Sequence, residues 1–343
     1  MNMYSWFLSE GYMSKKITIG LVGFFGWGNF GDELFVRVFE EWLGKDYELK
    51  VMNDLTKKPY FSKPLEELVD EVDAIVIGGG DLIIPWAMSD LYWREEYLKK
   101  PVFIVGVGVP TWSESNPNII ARYKKFLTHE NVKHVNVRDM ESAQWIKENI
   151  SQDVDVEHTA DIVFAMKMPK KIATDKKYFG IITRDRKGNP DNLEQVHKLA
   201  ERAVSQGFVI KHIILGTGDV GERDFARAED LKVEGKEIVY TESLDVLCQE
   251  ISTCKIIASM KFHGTVVALN YGIPSIVLSA TDKSRNLMRM IERQELLSSL
   301  NDESLADRVT PFVPVIPWTS VRMLRQRAEN TMKNLSSVIA KFA

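Results

Sequence analysis

The segment Met260-Lys261-Phe262-His263-Gly264, with Asn270-Tyr271-Gly272-Ile273-Pro274 behind it, decides the fold class of this chain. The apolar run over 255–258 before it has the length of a buried strand, and the residues after it open a helix. A titratable histidine therefore follows a strand directly. In open parallel sheets ligands bind at that end of the strands, where a helix N-terminus offers unpaired backbone N–H groups to an anion. The segment predicts an α/β protein with a functional site at His263.

The same alternation of strand and helix extends along most of the 343 residues. Short apolar runs alternate with longer amphipathic stretches, which is typical of parallel sheets covered by helices on both faces. The predicted strands span 16–22, 48–52, 74–77, 102–107, 134–137, 179–182, 209–215, 237–239, 255–258 and 275–278. The predicted helices span 33–43, 118–127, 140–149, 193–205, 244–254 and 319–340. We predict two doubly wound α/β domains over 1–166 and 167–318, followed by a C-terminal helical segment over 319–343.

Composition argues against several classes of protein. The chain has 48 acidic and 44 basic residues, so its charge does not favour a nucleic-acid groove or a polybasic membrane anchor. The two cysteines, Cys248 and Cys254, are too few for a disulfide framework or a repeated zinc motif, and we expect reduced thiols and no bound metal. The apolar segment 4–8 is interrupted at 9–11, before a signal peptide or a membrane span would be complete. We expect a cytoplasmic protein without a transmembrane segment.

Two strands of the first half end in glycine-rich loops. The first runs into Gly23-Phe24-Phe25-Gly26-Trp27-Gly28-Asn29-Phe30-Gly31-Asp32-Glu33, where Asn29 or Asp32 can cap the next helix while facing a cleft. This loop lacks the glycine spacing of a dinucleotide-binding fingerprint and the Gly-Lys-Ser/Thr of a P-loop. The third strand ends in Gly78-Gly79-Gly80-Asp81, which is more glycine than packing alone requires. We predict that both loops face a substrate; a tight turn is the competing explanation of the first.

Arg138 stands where the fifth predicted strand ends, directly before a helix that Asp139 is predicted to cap. A guanidinium at that position can bind a phosphate or a carboxylate through two parallel hydrogen bonds. The competing interpretation is an ion pair within the domain, with Asp139 or Asp161 as the partner. Asp161, which precedes an apolar run, is expected to act as a cap or turn residue.

Cationic residues also follow three strands of the second half. Arg184 ends the first of these strands, and Lys261 lies two residues before His263. Lys283 and Arg285 are expected on the loop after the last strand. Because the carboxyl ends of parallel strands meet at one edge of a sheet, these charges should converge, which suits a small polyanion. Histidine is the side chain type that exchanges protons near neutral pH, so His263 is the candidate general acid or base.

The order of these motifs along the chain resembles the polysaccharide pyruvyl transferase family. The resemblance covers about residues 17–290 and is carried by 23–33, 78–80, 137–139 with Ser142, Asp161, 259–263, 272–274 and 279–283. It implies a GT-B-like fold: two Rossmann-like domains face each other across a cleft, and a C-terminal helix returns to the first domain. It also implies that the enolpyruvyl carbons of phosphoenolpyruvate are transferred to two hydroxyls of a sugar as a cyclic ketal, with release of phosphate.

The resemblance implies roles for individual residues. Arg138, His263 and Lys283 match the residues that serve catalysis and donor binding in the family. The donor side is then expected to comprise Arg138, Arg184, Lys261, Gly264 and Lys283. On the acceptor side we expect Gly28, Asn29, Asp32, Gly79, Gly80, Asp81 and Trp112, with Trp27 and Trp86 in the neighbouring loops. The family often has arginine where this chain has Lys261, which keeps the charge and loses the bidentate geometry.

The expected partners are phosphoenolpyruvate, as a substrate rather than a cofactor, and a sugar or lipid-linked glycan of an exopolysaccharide or cell-wall polymer. No nucleic acid is expected, and the sequence leaves the oligomeric state open. A lipid-linked acceptor would place the enzyme peripherally at the inner membrane face. Two other functions stay open: a nucleotide-sugar glycosyltransferase on the same fold, with Glu242 and Ser243 at the ribose, and a non-catalytic carbohydrate-binding protein.

Overall fold

The computed structural model describes residues 16–185, 191–310 and 312–343. The apolar N-terminal segment 4–8 lies outside the described residues. None of the helices in the described ranges combines the length and the apolar character needed to cross a membrane.

The first half of the chain forms a six-stranded parallel sheet. Its strands are β1 (Thr18–Val22), β2 (Glu48–Val51), β3 (Ala74–Gly80), β4 (Val102–Val107), β5 (Val132–Val137) and β6 (Val156–His158), in the order β2-β1-β3-β4-β5-β6. Its helices are α1 (Phe30–Leu43), α2 (Leu65–Asp70), α3 (Pro117–Leu127) and α4 (Met140–Asn149), with short 3₁₀ helices at Glu95–Lys99 and Ile162–Ala165. The central strands β1, β3 and β4 are continuous runs of apolar residues and glycine because helices cover both of their faces.

The second half forms a five-stranded parallel sheet. Its strands are β7 (Tyr178–Ile182), β8 (Val209–Ile213), β9 (Glu237–Val239), β10 (Cys254–Ser259) and β11 (Ser275–Val277), in the order β11-β10-β7-β8-β9. Its helices are α5 (Glu194–Ser205), α6 (Gly218–Glu229), α7 (Leu244–Ser252), α8 (Phe262–Asn270) and α9 (Asp282–Met290), with 3₁₀ helices at Gln294–Leu296 and Leu305–Arg308. The two parallel sheets confirm the predicted α/β class with two doubly wound domains.

The last helix, α10 (Trp318–Phe342), returns to the first domain. Its buried residues recur at helical spacing and pack on the 3₁₀ helix Ile162–Ala165, on β5 and on α1. Tyr47 donates a hydrogen bond of 3.0 Å from Oη to the carbonyl of Ser336, and the Oγ1 atoms of Thr331 and Thr159 lie 2.9 Å apart. These contacts confirm the predicted return of the C-terminal helix.

The strand order reverses once in each sheet, and the residues predicted to be functional lie next to these two reversals. In the first sheet the reversal lies between β1 and β3, and in the second between β7 and β10. A crevice opens at such a switch point because the loops after the two strands run to opposite faces of the sheet. The glycine-rich loops follow β1 and β3, Arg184 follows β7, and His263 follows β10. Both switch points therefore carry the residues that the sequence marks as functional.

The prediction missed several elements. Helix α6 has glycine, aspartate and alanine on its buried face, at Gly221, Asp224 and Ala228, so it lacks the apolar periodicity of a core helix. The edge strand β6 and the six-residue α2 are too short for a periodic signal. Lys283 and Arg285 were predicted on a loop, which is wrong: both lie on α9. The predicted division between the domains at 166/167 falls at the start of residues 167–177, which contain no helix or strand, and it stays a prediction.

Candidate active site

A cavity of about 760 Å³ opens between the two sheets at their switch points. The first domain lines it with Phe24, Trp27, Asn29, Phe30, Gly31, Asp81, Pro110 and Trp112. The second domain lines it with Arg184, Asp185, Val220, Asp224, 260–263 and 279–285. The residues of both domains that line the cavity include four carboxylates and four lysine or arginine side chains besides His263. Because these charges balance, individual cations rather than a net positive field would hold an anion there.

His263 lies in the first turn of α8 and reaches across the cleft into the first domain. Its ring packs edge-on against Phe35, with the ring centroids 5.0 Å apart. Nε2 lies 3.4 Å from Oδ2 of Asp161. Nδ1 lies against Gly31, where a Cβ atom would overlap the ring, so this position requires glycine. Three residues of the first domain therefore fix the histidine of the second.

Asp161 is buried and serves two partners. Its Oδ1 accepts a hydrogen bond of 3.0 Å from the backbone N–H of Val163, which confirms the predicted cap. Burial alone would raise the pKa of its carboxyl, but the charge and hydrogen bond of His263 and the charge of Arg138 together lower it. Sequence reasoning missed the contact with His263. The available signal was an acid beside the carboxyl edge of the sheet, three residues after β6.

Asp32 lies in the first turn of α1 and is almost fully buried. Its Oδ2 accepts a hydrogen bond of 2.5 Å from Nδ2 of Asn29. Asn29 occupies the N-cap position, but its side chain makes no hydrogen bond to the helix backbone, so the predicted side-chain cap is wrong. The helix begins at Phe30, three residues earlier than predicted. Burial raises the pKa of Asp32 to about 6, although the charge of His263 opposes the shift.

The variant Asp32→Asn is expected to be more stable than the wild type at pH 7, by about 1–3 kcal/mol. The folded state holds the Asp32 proton up to about pH 6, whereas an unfolded aspartate releases it near its ordinary value of 3.8. Between these two values folding takes up a proton, so wild-type stability falls as the pH rises and stays lower above pH 6. Asparagine removes this dependence.

Urea unfolding at several pH values between 3.5 and 8 measures the Asp32 effect. The exposed carboxylate of the same domain, Asp46, provides the matched control as Asp46→Asn. The assignment is wrong if Asp32→Asn and the wild type keep the same difference in unfolding free energy across the whole range.

Asp81 joins Arg138 of the first domain to Lys283 of the second. Lys283 Nζ lies 2.8 Å from Asp81 Oδ2, and Arg138 Nη2 pairs with Asp81 Oδ1. Burial alone would raise the pKa of Asp81, but the charges of Arg138 and Lys283 outweigh it and hold the pKa far below its usual range. The sequence predicted Asp81 on the acceptor side; its observed partners are the two cations predicted for the donor.

Arg138 is 4% exposed and does not belong to the described cavity wall. Its guanidinium lies behind Asp81 and the ring of Phe262, whose centroid is 5.5 Å from Arg138 Cζ. Nε lies 3.7 Å from Oδ2 of Asp139, so part of the predicted intradomain ion pair is present. A Cβ atom at Gly108 would collide with the guanidinium, which explains a glycine there. Direct contact between Arg138 and a ligand requires Asp81 or Phe262 to move.

Lys261 lines the cavity with its charge already paired. Nζ lies 2.5 Å from Oδ2 of Asp224 and donates a hydrogen bond of 2.7 Å to the carbonyl of Leu215. Burial lowers the pKa of this amine, and the charge of Asp224 opposes the shift. Asp224 lies on α6, the helix that the sequence did not predict, so this pairing could not be foreseen. Arg184 lines the same wall.

The predicted glycines lie at close-packed or left-handed positions off the described wall. A Cβ at Gly264 would collide with Ile182 of β7, and one at Gly79 would overlap Phe35. Gly28 accepts a hydrogen bond of 2.8 Å at its carbonyl from the backbone N–H of Thr217, which joins the two domains. Gly80 has a φ of +92° and open space beside Asp32. These contacts account for the glycines by packing and backbone geometry, and their ligand roles stay predictions.

Exposed tryptophans lie at the mouth of the cavity. Trp112 is 69% exposed and packs against Trp86, with ring centroids 4.3 Å apart. Trp27 is 45% exposed and neighbours Phe24 at 6.3 Å. Exposed aromatic faces beside a polar cavity are suited to stacking on an amphipathic ligand.

Within the described ranges, no three histidine, cysteine, aspartate or glutamate side chains are grouped so as to hold a metal ion. The expectation of a metal-free site stays a prediction. Cys248 and Cys254 are both buried as free thiols.

Solved structures with a similar fold are GT-B-like enzymes. The UDP-GlcNAc 2-epimerase from Methanocaldococcus jannaschii matches with a TM-score of 0.56 at 14% identity, covering 94% of this chain and 100% of that one. The S. aureus MnaA-UDP co-structure matches with a TM-score of 0.61 at 12% identity, covering 95% of this chain and 96% of that one. At these identities the likeness shows the fold alone. No curated protein sequence matches the chain.

A match to a sequence-family model assigns the chain to a family. The model described as polysaccharide pyruvyl transferase matches residues 29–282, about three-quarters of the chain. The match begins in the loop after β1 and ends at the start of α9, one residue before Lys283, so it includes β3, the switch point between β7 and β10, Asp161 and His263. The chain therefore belongs to the polysaccharide pyruvyl transferase family.

Proposed function

We propose that the protein transfers a pyruvyl group from phosphoenolpyruvate to two hydroxyls of a sugar, forming a cyclic ketal and releasing phosphate. One observation carries the proposal: His263 projects from the switch point of the second domain into a cavity whose wall also holds Arg184, Lys261 and Lys283. An imidazole among cations suits proton transfer to and from a small polyanion.

The donor has one phosphate and one carboxylate, and the cavity offers two kinds of group for them. Positive charge at this edge of the sheet comes from Arg184 after β7, Lys261 directly before α8 and Lys283 in the first turn of α9. The N-termini of α8 and α9 open at the same edge and provide backbone N–H groups. Arg138 supports Lys283 through their shared partner Asp81. Phosphoenolpyruvate is a substrate in this proposal, and no cofactor is proposed.

The reaction has two additions at one carbon. Protonation of the methylene carbon of phosphoenolpyruvate makes its C2 electrophilic, and a first sugar hydroxyl adds there. The bond from C2 to the phosphate oxygen then breaks, and a second hydroxyl closes the ketal. The proton of one sugar hydroxyl replaces the proton that was given to the methylene carbon. The proton of the other hydroxyl leaves with phosphate. His263 is proposed to deliver the first proton and to accept one from a hydroxyl.

The proposed acceptor is a sugar of a polysaccharide or of its lipid-linked precursor, bound on the side of the first domain. Trp27 and Trp112 lie exposed at the mouth and can stack on sugar rings, while Asn29 offers hydrogen bonds from the wall. A lipid-linked acceptor would bring the enzyme to the inner face of the membrane. No nucleic acid is proposed as a partner.

The alternative function as a nucleotide-sugar glycosyltransferase depended on Glu242, and the contacts of this residue do not favour it. Glu242 was considered for the ribose hydroxyls, but its carboxylate accepts a hydrogen bond of 3.2 Å from the backbone N–H of Gly218 at the start of α6. Glu242 is not part of the described cavity wall. This position is that of a helix-terminus contact rather than of a ligand contact.

The products test the proposal. Phosphoenolpyruvate carrying ¹³C at C2 is incubated with the enzyme and with free and lipid-linked glycans that bear neighbouring hydroxyls. We expect a ketal carbon signal on the glycan and one inorganic phosphate per ketal. A label attached as an enol ether would show that transfer stops after the first hydroxyl and would overturn ketal formation.

A further inference from the structure

We propose that Asp161 orients His263, so that a carboxylate of the first domain sets the tautomer of the imidazole contributed by the second. The inference rests on the proposed function, because it concerns the same histidine. It makes Asp161 a positioning residue that acts through the imidazole, and it assigns Nδ1 as the nitrogen that exchanges protons with substrate.

Asp161 and His263 each present one buried polar atom to the other. Asp161 is 3% exposed, and its Oδ1 is occupied by the N–H of Val163 at 3.0 Å. Its Oδ2 and the Nε2 of His263 are both buried and make no other hydrogen bond to the described residues. They lie 3.4 Å apart. Leaving either atom unpaired in the interior is costly, so the Nε2 proton is best placed between them.

The other ring nitrogen of His263 lies beside a residue of the cavity wall. Nδ1 lies against Gly31, which belongs to the cavity wall, and a side chain there would occupy the place of the ring. With the proton held on Nε2, the lone pair of the neutral imidazole is on Nδ1, beside the cavity. A carboxylate that holds one nitrogen leaves the other free to accept a hydroxyl proton, as in hydrolases with a Ser-His-Asp triad.

The charges around the ring agree with this arrangement. Asp161 faces it from the segment after β6, and Asp32 faces it from the first turn of α1. Arg138 lies beyond Asp161, and Lys283 acts on Asp32. The pKa of Asp161 is lowered despite its burial, so the carboxylate is charged and can stabilise the imidazolium formed when Nδ1 takes up a proton.

Because the two partners belong to different domains, the pair depends on the position of the domains relative to each other. Lys283 with Asp81 at 2.8 Å, and Asp282 with the N–H of Thr111 at 2.8 Å, are further contacts between the domains beside the cavity.

Variants that keep the cap separate the two roles of Asp161. Asp161→Asn and Asp161→Ser both retain an oxygen for the N–H of Val163, as asparagine and serine do at other caps. Asparagine removes the charge, and serine is also too short to reach the imidazole. We expect turnover with phosphoenolpyruvate to fall about 10- to 10³-fold in both variants. This fall should not exceed the fall in turnover expected for His263→Ala. Unfolding in urea checks that both remain folded.

The pH profile and the tautomer provide readouts that a mere cap would not move. Loss of the carboxylate should shift the limb of the kcat profile that reports proton uptake by the imidazole to lower pH, because the imidazolium loses its counter-charge. In ¹⁵N NMR spectra, with the signal assigned by its absence in His263→Gln, the wild type should carry its proton on Nε2. Asp161→Asn should move it to Nδ1, since the amide then presents N–H to Nε2.

Each outcome decides the matter. Reduced turnover with a shifted profile and a changed tautomer supports the proposal. Unchanged turnover, profile and tautomer in both folded variants would leave Asp161 as a cap alone and overturn it. The tautomer is measured without substrate, so a protein that shows the predicted tautomers but never uses phosphoenolpyruvate would refute the proposed function while preserving the Asp161–His263 contact.

Discussion

The variant His263→Ala is expected to lose about 10²- to 10⁴-fold in turnover with phosphoenolpyruvate, and to bind the donor with little change. The imidazole is proposed to give a proton to the methylene carbon and to take one from a sugar hydroxyl, whereas the donor's charges are matched by lysine and arginine. The result should therefore be a large fall in kcat. Steady-state kinetics by phosphate release, with calorimetric donor binding, measures both parts.

Two further variants make the histidine experiment decisive. His158→Ala changes an exposed histidine at the end of β6 and should keep wild-type rates. His263→Gln preserves much of the side-chain volume beside Phe35 and Gly31, so its fall in kcat cannot be attributed to a collapsed site. A normal rate in folded His263→Ala would remove the histidine from the mechanism.

The variant Arg138→Ala is expected to lower kcat/KM for phosphoenolpyruvate by about 10²-fold and to destabilise the protein by about 3–5 kcal/mol. Its removal leaves the buried carboxylate of Asp139 without this cation and leaves Lys283 as the remaining cationic partner of Asp81. Asp81 would then bind Lys283 alone, which withdraws that lysine from the donor. Donor titration and denaturant unfolding of the same preparation measure the two effects.

The matched variants for Arg138 separate charge from geometry. Arg138→Lys keeps the charge and loses the planar fork, so it should recover stability more than donor use. Arg122→Ala removes a half-exposed arginine of the same domain, whose pair with Asp90 spans 3.8 Å, and should change neither quantity appreciably. Wild-type donor affinity in Arg138→Ala would show that this arginine only stabilises the first domain.

Much of the fold could be predicted because its signals are local. The strands β1, β3 and β4 are apolar runs bounded by turns, and α10 repeats its apolar residues at helical spacing. Helix α6 escaped because Gly221, Asp224 and Ala228 form its buried face, which tertiary contacts rather than periodicity require. Lys283 was placed on a loop because α9 is short and polar over its first turn.

The candidate site could be predicted as a set of cations and a histidine, but not as a set of pairs. Strand ends mark Arg138, Arg184, Lys261 and His263 from the sequence alone, since parallel strands bring their carboxyl ends together. Apart from Asp139, which follows Arg138 directly, the acids that pair with them lie far away along the chain or on the other domain. Asp161 reaches His263 across the cleft, and Asp224 reaches Lys261 from α6.

Calorimetric titration with phosphoenolpyruvate, inorganic phosphate and UDP-GlcNAc tests the central claim most directly, because it needs no knowledge of the acceptor. Wild-type protein and folded Arg138→Ala are compared. We predict saturable binding of phosphoenolpyruvate, weaker binding of phosphate, no binding of UDP-GlcNAc, and strongly weakened donor binding in Arg138→Ala. Binding of UDP-GlcNAc without binding of phosphoenolpyruvate would contradict pyruvyl transfer and identify a nucleotide-sugar enzyme instead.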